Sequence, residues 1–164
     1  MPHSRTPFAP WLAQQLPCVD PDRIVTAGHS QGGGLVLITA SSAPGVAGVV
    51  ARDRSCATSP AVPPSLTRPR SPKSPASFAS IPTRRNVLET LAYVDAVNHA
   101  RRGTAPAWIS VAPMHTVCPP SGIYAAHHHW GSPKELGVWR YGDHDGGGPH
   151  EDICALEFVA RLLR

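Results

Sequence analysis

Nothing in this sequence is apolar for long enough to span a bilayer, and its first residues, Met-Pro-His-Ser-Arg-Thr-Pro-Phe-Ala-Pro-Trp-Leu, hold no uninterrupted apolar run of signal-peptide length. A soluble, cytoplasmic chain is the expectation. Cysteine is scattered: Cys18, Cys56, Cys118 and Cys154 include no C-x-x-C pair, which speaks against a zinc site and a dense disulfide framework and for free thiols in a reducing compartment. No glycine turn is followed by Lys-Ser or Lys-Thr, and G-x-G-x-x-G is absent, so neither a phosphate loop nor a dinucleotide fingerprint is indicated. H-E-x-x-H is missing too, and no internal repeat is visible.

What is present, 164 residues of which 41% are apolar, suffices for one core rather than two domains. The formal charge of +4 is unevenly placed. Between Arg52 and Asn86 stand seven basic residues and a single acid, Asp53; the rest of the chain carries eight basic and ten acidic residues. The same stretch holds seven prolines, seven serines and three threonines and shows no periodicity. Such a composition cannot bury enough apolar area to offset its ordering entropy, so residues 52–86 are expected to be disordered. Their charge invites an anionic partner, but Phe78 is their one aromatic residue. Base stacking is therefore unsupported, and a solvated charge run is the favoured reading, with no nucleic acid partner.

Outside that stretch, strand and helix patterns alternate. Arg23 to Gly28, Val46 to Ala51, Ala107 to Ala112 and Leu136 to Tyr141 read as strands. Gln31 to Ala43, a stripe through Val87, Leu91, Val94 and Asn98 ending near Arg101-Arg102-Gly103, and Ser121 to His129 read as helices. Ile153, Leu156, Val159, Leu162 and Leu163 read as the face of a last helix. The alternation predicts an α/β protein with a parallel, doubly wound sheet. In such sheets ligands lie at the carboxyl ends of the strands, which places the loops at 28–34, 113–120 and 142–149 on one edge.

The first of these loops, Gly28-His29-Ser30-Gln31-Gly32, matches G-x-S-x-G. A serine on a strained strand-to-helix turn needs small neighbours two residues to either side, and its Oγ then projects above the sheet. The N–H of the next residue, Gln31, is placed to donate to an oxyanion. A glycine turn with a capping serine is the plainer alternative. Hydrolysis by such a serine needs a histidine further along the chain, and His144, in Tyr141-Gly-Asp-His-Asp-Gly-Gly-Gly148, follows the last strand where that histidine belongs.

Gly28-His-Ser-Gln-Gly-Gly-Gly34, Glu89-Thr-Leu-Ala-Tyr-Val-Asp-Ala-Val-Asn98, Thr116-Val-Cys-Pro-Pro-Ser121 and His144-Asp-Gly-Gly-Gly148 together resemble the acetyl xylan esterase and cephalosporin-C deacetylase family of α/β-hydrolases. The resemblance spans residues 8–51 and 87–164. It implies the C-terminal part of one α/β-hydrolase domain: a partial fold with a mostly parallel sheet flanked by helices and without the N-terminal strands. It further implies a Ser-Asp-His triad with Ser30 as nucleophile and His144 as general base, and neither cofactor nor metal. The implied substrate is an acetylated carbohydrate or cephalosporin-like molecule, and a homo-oligomer is typical of the family.

Three departures stand out. The family aspartate before the Thr-x-Cys-Pro-Pro loop corresponds here to His115, which brings no negative charge. Loss of the triad acid typically costs about 10⁴ in turnover, on the order of 5 kcal/mol of barrier. Asp143 and Asp145 flank His144 as substitutes, although side chains adjacent in sequence rarely reach back to Nδ1. Second, the tyrosine whose backbone N–H completes the family's oxyanion hole lies in the N-terminal half, which the match does not include. Third, the resemblance breaks off near Arg52 and resumes near Val87, as an out-of-phase reading of a G+C-rich gene would leave it. A catalytically inactive fragment is thus the alternative to a working esterase. Metal binding by His127, His128 and His129 with His144 or His150 is disfavoured, because adjacent histidines on a helix point in different directions.

Overall fold

The computed structural model describes residues 8–52, 89–115, 118–143 and 145–164. The Pro/Ser/Arg-rich stretch, apart from Arg52, lies outside the described residues, as do His144, Thr116 and Val117. Four strands, β1 (Val25–His29), β2 (Gly48–Arg52), β3 (Ala107–Val111) and β4 (Lys134–Val138), form one sheet in the order β1-β2-β3-β4, with every pair parallel. All four therefore point their carboxyl ends to one edge, and the loops after β1, β3 and β4 open there. The order runs straight through, with no reversal among the described strands.

The middle strands are buried on both faces, which is why their sequences are nearly continuous apolar runs, broken by the buried Ser110 in β3 and ended by Arg52 in β2. Their side chains alternate between two layers. Val49, Ala51, Ala107, Ile109 and Val111 join Leu37, Ile38, Ile123 and Trp130 in the larger core, under helices α2 (Gln31–Ala40), α3 (Ala96–Ala100) and α4 (Pro120–His129). Val50 and Trp108 face the other way, onto Ala155 and Phe158 of α5 (Pro149–Leu162). A short helix, α1 (Phe8–Gln14), precedes β1 and was given no element by the sequence pattern. Cys18, Cys118 and Cys154, the cysteines among the described residues, form no disulfide. No helix among the described residues is long and apolar enough to cross a membrane.

Beyond shifts of two or three residues at the ends of β1, α2 and β2, three elements depart from the sequence pattern. The stripe read as one helix is broken: a helical turn over 89–92 stops, and Asp95 starts α3 anew by accepting the Val97 N–H at 3.0 Å. Asp95 is a strong helix-starting residue, and its cap outweighs the apolar spacing. β4 begins and ends earlier than Leu136 to Tyr141, because pairing with Ala107–Val111 fixes its register. The buried side of α5 is Glu151, Ala155 and Phe158, with Val159 and Leu162 of the expected face packed beside them, whereas Ile153 and Leu156 are 53% and 68% exposed.

Burial raises the Asp95 carboxyl above its ordinary value of 3.8, against the lowering by the Val97 N–H and by His99. The folded chain then holds a proton that the unfolded chain has lost, so stability falls as pH rises from 3.8 through the raised value. Asp95→Asn keeps a capping oxygen without the charge. Urea titrations between pH 3 and 7 are expected to show a smaller loss of stability with rising pH in Asp95→Asn than in the wild type.

Candidate active site

Ser30 stands between β1 and α2 with φ 57° and ψ −129°, the one non-glycine residue with positive φ among those described. Strain of this kind persists only where the surroundings impose it, and it collects at functional turns. Its side chain makes no capping hydrogen bond to α2, so the plainer reading of a helix-capping serine fails. Gln31 is the first residue of α2, where backbone N–H groups have no intrahelical partner and the helix dipole favours negative charge.

The two flanking glycines are not equivalent. A Cβ on Gly28 would collide with the carbonyl oxygen of Gly32, whereas a Cβ on Gly32 meets nothing within 4 Å. The need for small neighbours on both sides thus reduces to a need at Gly28. Gly28→Ala is expected to cost about 3 kcal/mol through overpacking against backbone. Gly32→Ala should stay within about 1 kcal/mol. Paired denaturant melts would measure the difference.

His115 follows β3 and is only 5% exposed. Its backbone N–H donates to Ala112 O at 3.1 Å, and its ring Nδ1 accepts the Cys118 N–H at 3.0 Å. A ring nitrogen that accepts carries no proton, so the imidazole is held as the Nε2–H tautomer. In the triad, the acid must accept a hydrogen bond from the base. Here the nitrogen turned away from Cys118 is a donor.

Asp143 and Asp145 are exposed, and their carbonyls close tight turns by accepting from the N–H groups of Gly146 (3.1 Å) and Gly148 (3.0 Å). An open cleft of about 330 Å³ lies at the carboxyl edge between this loop and the serine turn, lined by His29, Arg52, Asp145, Gly148, Glu151 and Asp152. Arg52, the first residue of the basic stretch, is ion-paired with Asp152 across that cleft and ends β2. A second cleft, of about 270 Å³, lies at the opposite end of the strands, among Pro106, Pro133 and Leu162, away from Ser30.

Glu151 was not anticipated. It is 3% exposed, its carboxylate takes the Ser110 hydroxyl hydrogen bond, and it accepts the Gly147 N–H at 3.0 Å. The signal available in sequence was its i, i+4, i+7 spacing with Ala155 and Phe158. Burial pulls the His127 ring below its ordinary value of 6.5, assisted by Lys134 and His128. No group of three or more metal-ligating side chains is gathered among the described residues.

A profile of the family described as Acetyl xylan esterase (AXE1) matches residues 9–54 and 78–162. The match therefore reaches back to residue 78, further than the resemblance at Val87, and leaves out 55–77. Acetyl xylan esterase 1 from Thermoanaerobacterium sp. JW/SL YS485 superposes with a TM-score of 0.76 at 26% identity, over 97% of this chain and 51% of that one. The acetyl xylan esterase of Paenibacillus sp. R4 gives 0.76 at 24% identity, over 95% and 50%. The α/β-hydrolase GrgF from Penicillium sp. sh18 gives 0.67 at 20%, over 95% and 69%, a likeness of fold. The chain spans about half the length of the two esterases.

Proposed function

The chain belongs to the acetyl xylan esterase family, and from that premise we propose that it hydrolyses acetyl esters of carbohydrate-like substrates through Ser30. The observation that carries this reading is the strained, uncapped Ser30 at the carboxyl edge of a parallel sheet, directly before the N-terminus of α2. Ser30 Oγ attacks the acetyl carbonyl carbon while its proton passes to His144. The tetrahedral oxyanion takes the Gln31 N–H, and the remaining donor would come from chain outside the matched half. Collapse breaks the ester bond, His144 returns the proton to the departing sugar hydroxyl, and water then releases acetate from Ser30 by the same steps in reverse roles. No cofactor enters. Acetylated xylo-oligosaccharides and cephalosporin-like esters are the substrate classes the family suggests, in a cytoplasmic and self-associating protein.

The test is labelling by a fluorophosphonate probe, with the adduct mapped to the peptide that holds Ser30, together with acetate release from p-nitrophenyl acetate. Folded protein that neither labels nor hydrolyses removes the proposal. A second reading, an inactive chain that keeps the half-fold, is favoured by the donor tautomer of His115 at the acid position. The exposure of Trp11, Leu12 and Leu35, at 54%, 46% and 51%, fits it too, since a chain with open apolar surface tends to self-associate.

A further inference from the structure

We propose that Glu151 is a positioning residue that clamps the loop carrying His144 onto β3. The inference rests on the reading of His144 as the base. Glu151 sits in the first turn of α5 with 3% exposure, and both of its carboxylate oxygens are engaged. Oε1 accepts from the hydroxyl of Ser110, itself 1% exposed, whose side chain shares the α5-facing side of β3 with Trp108. Oε2 accepts the Gly147 N–H at 3.0 Å, three residues after His144. The Glu151 N–H in turn donates to Gly148 O at 3.1 Å.

Backbone turns within this loop close on the loop itself or on the end of β4: Gly142 to Trp139, Gly146 to Asp143, Gly148 to Asp145. Glu151 adds a tie that leaves the loop and ends on the strand whose carboxyl end carries His115. A Cβ on Gly147 would run into the Trp139 ring, so the backbone that donates to Glu151 is also held from the other side. A buried carboxylate is a poor source of stability, since an apolar residue of similar volume often serves as well. What it supplies is a fixed position, because a loop shifted by 1 Å costs up to about 10²-fold in rate.

Glu151→Ala is expected to lower kcat for p-nitrophenyl acetate about 10–100-fold with KM little changed. Glu151→Gln should recover most of the loss, since its oxygen can accept from Gly147 while its amide donates to Ser110 Oγ. Hydrogen–deuterium exchange supplies a readout independent of activity. The Gly147 amide should exchange roughly tenfold faster in Glu151→Ala and not in Glu151→Gln. Unchanged kcat and unchanged exchange in folded Glu151→Ala would overturn the clamp, as would a Gln variant as impaired as the Ala variant. If Glu151→Ala does not fold, Ser110→Ala should show the same direction at Gly147, and its absence counts against the clamp. Wild-type protein without esterase activity would sink the serine reading, while the exchange result still decides the role of Glu151.

Discussion

His115→Asp is expected to raise p-nitrophenyl acetate turnover by about 10³–10⁴. The reason is the direction of one hydrogen bond. His115 Nδ1 already accepts the Cys118 N–H, so the ring presents Nε2–H as a donor. For His144 to take the serine proton on one nitrogen, its other nitrogen must carry a proton and give it to an acceptor. A donor at the acid position selects the opposite tautomer, with the proton already on the nitrogen that should face Ser30. An aspartate can accept the Cys118 N–H on one oxygen, as Asp does in local turns, and leave the second oxygen for the imidazole. His115→Asn is the control, because its amide also accepts from Cys118 but offers N–H₂ on the other side, and it should show no gain. An aspartate variant that folds, labels at Ser30 and yet turns over no faster would place the acid elsewhere, with Asp143 and Asp145 next in line.

The difference between His115 and Ser30 also marks how much of this protein could be read from its sequence. The serine turn is local: one serine, Gly28 against the carbonyl of Gly32, and a helix starting at Gln31 are all specified within a few residues. β2 and β3 were equally legible, since strands buried on both faces read as nearly continuous apolar runs, with Ser110 the one polar side chain inside β3. The ends of β4 were not, because its register is set by β3, more than twenty residues upstream. The face of α5 was legible only in part, for a related reason: Val159 and Leu162 pack on the core as the pattern expects, but Ile153 and Leu156 do not. Ile153 and Leu156 are apolar, but the helix is oriented by Ala155 and Phe158 against Val50 and Trp108, and by a glutamate whose partners come from β3 and the preceding loop. The spacing with Ala155 and Phe158 could place Glu151 on the buried side, but not say what satisfies it, because its hydroxyl partner, Ser110, is 41 residues away.

Ser30→Ala should abolish fluorophosphonate labelling, and its effect on hydrolysis should depend on what occupies position 115. Triad members act as a unit, so a serine deprived of its acid has less to lose: about 10² in the wild-type background, against about 10⁶ once an aspartate is present. The gain from His115→Asp is therefore expected to vanish in the double variant, both single and double falling to one floor. Equal gains with and without Ser30 would show that position 115 acts on something other than this serine. Ser30→Gly separates the nucleophile from the strain it sits in. Alanine keeps the penalty of φ 57° and ψ −129°, whereas glycine adopts positive φ freely. The strain is on the order of 1–3 kcal/mol, and the greater freedom of glycine in the unfolded chain takes back about 0.5–1 kcal/mol. Ser30→Gly should thus be about 1 kcal/mol more stable than Ser30→Ala, a rise in Tm of roughly 2–4 °C for a chain of this size, with neither variant labelled. A glycine variant that melts with the alanine variant would mean the turn imposes no strain on residue 30, and the serine would lose the feature that sets it apart.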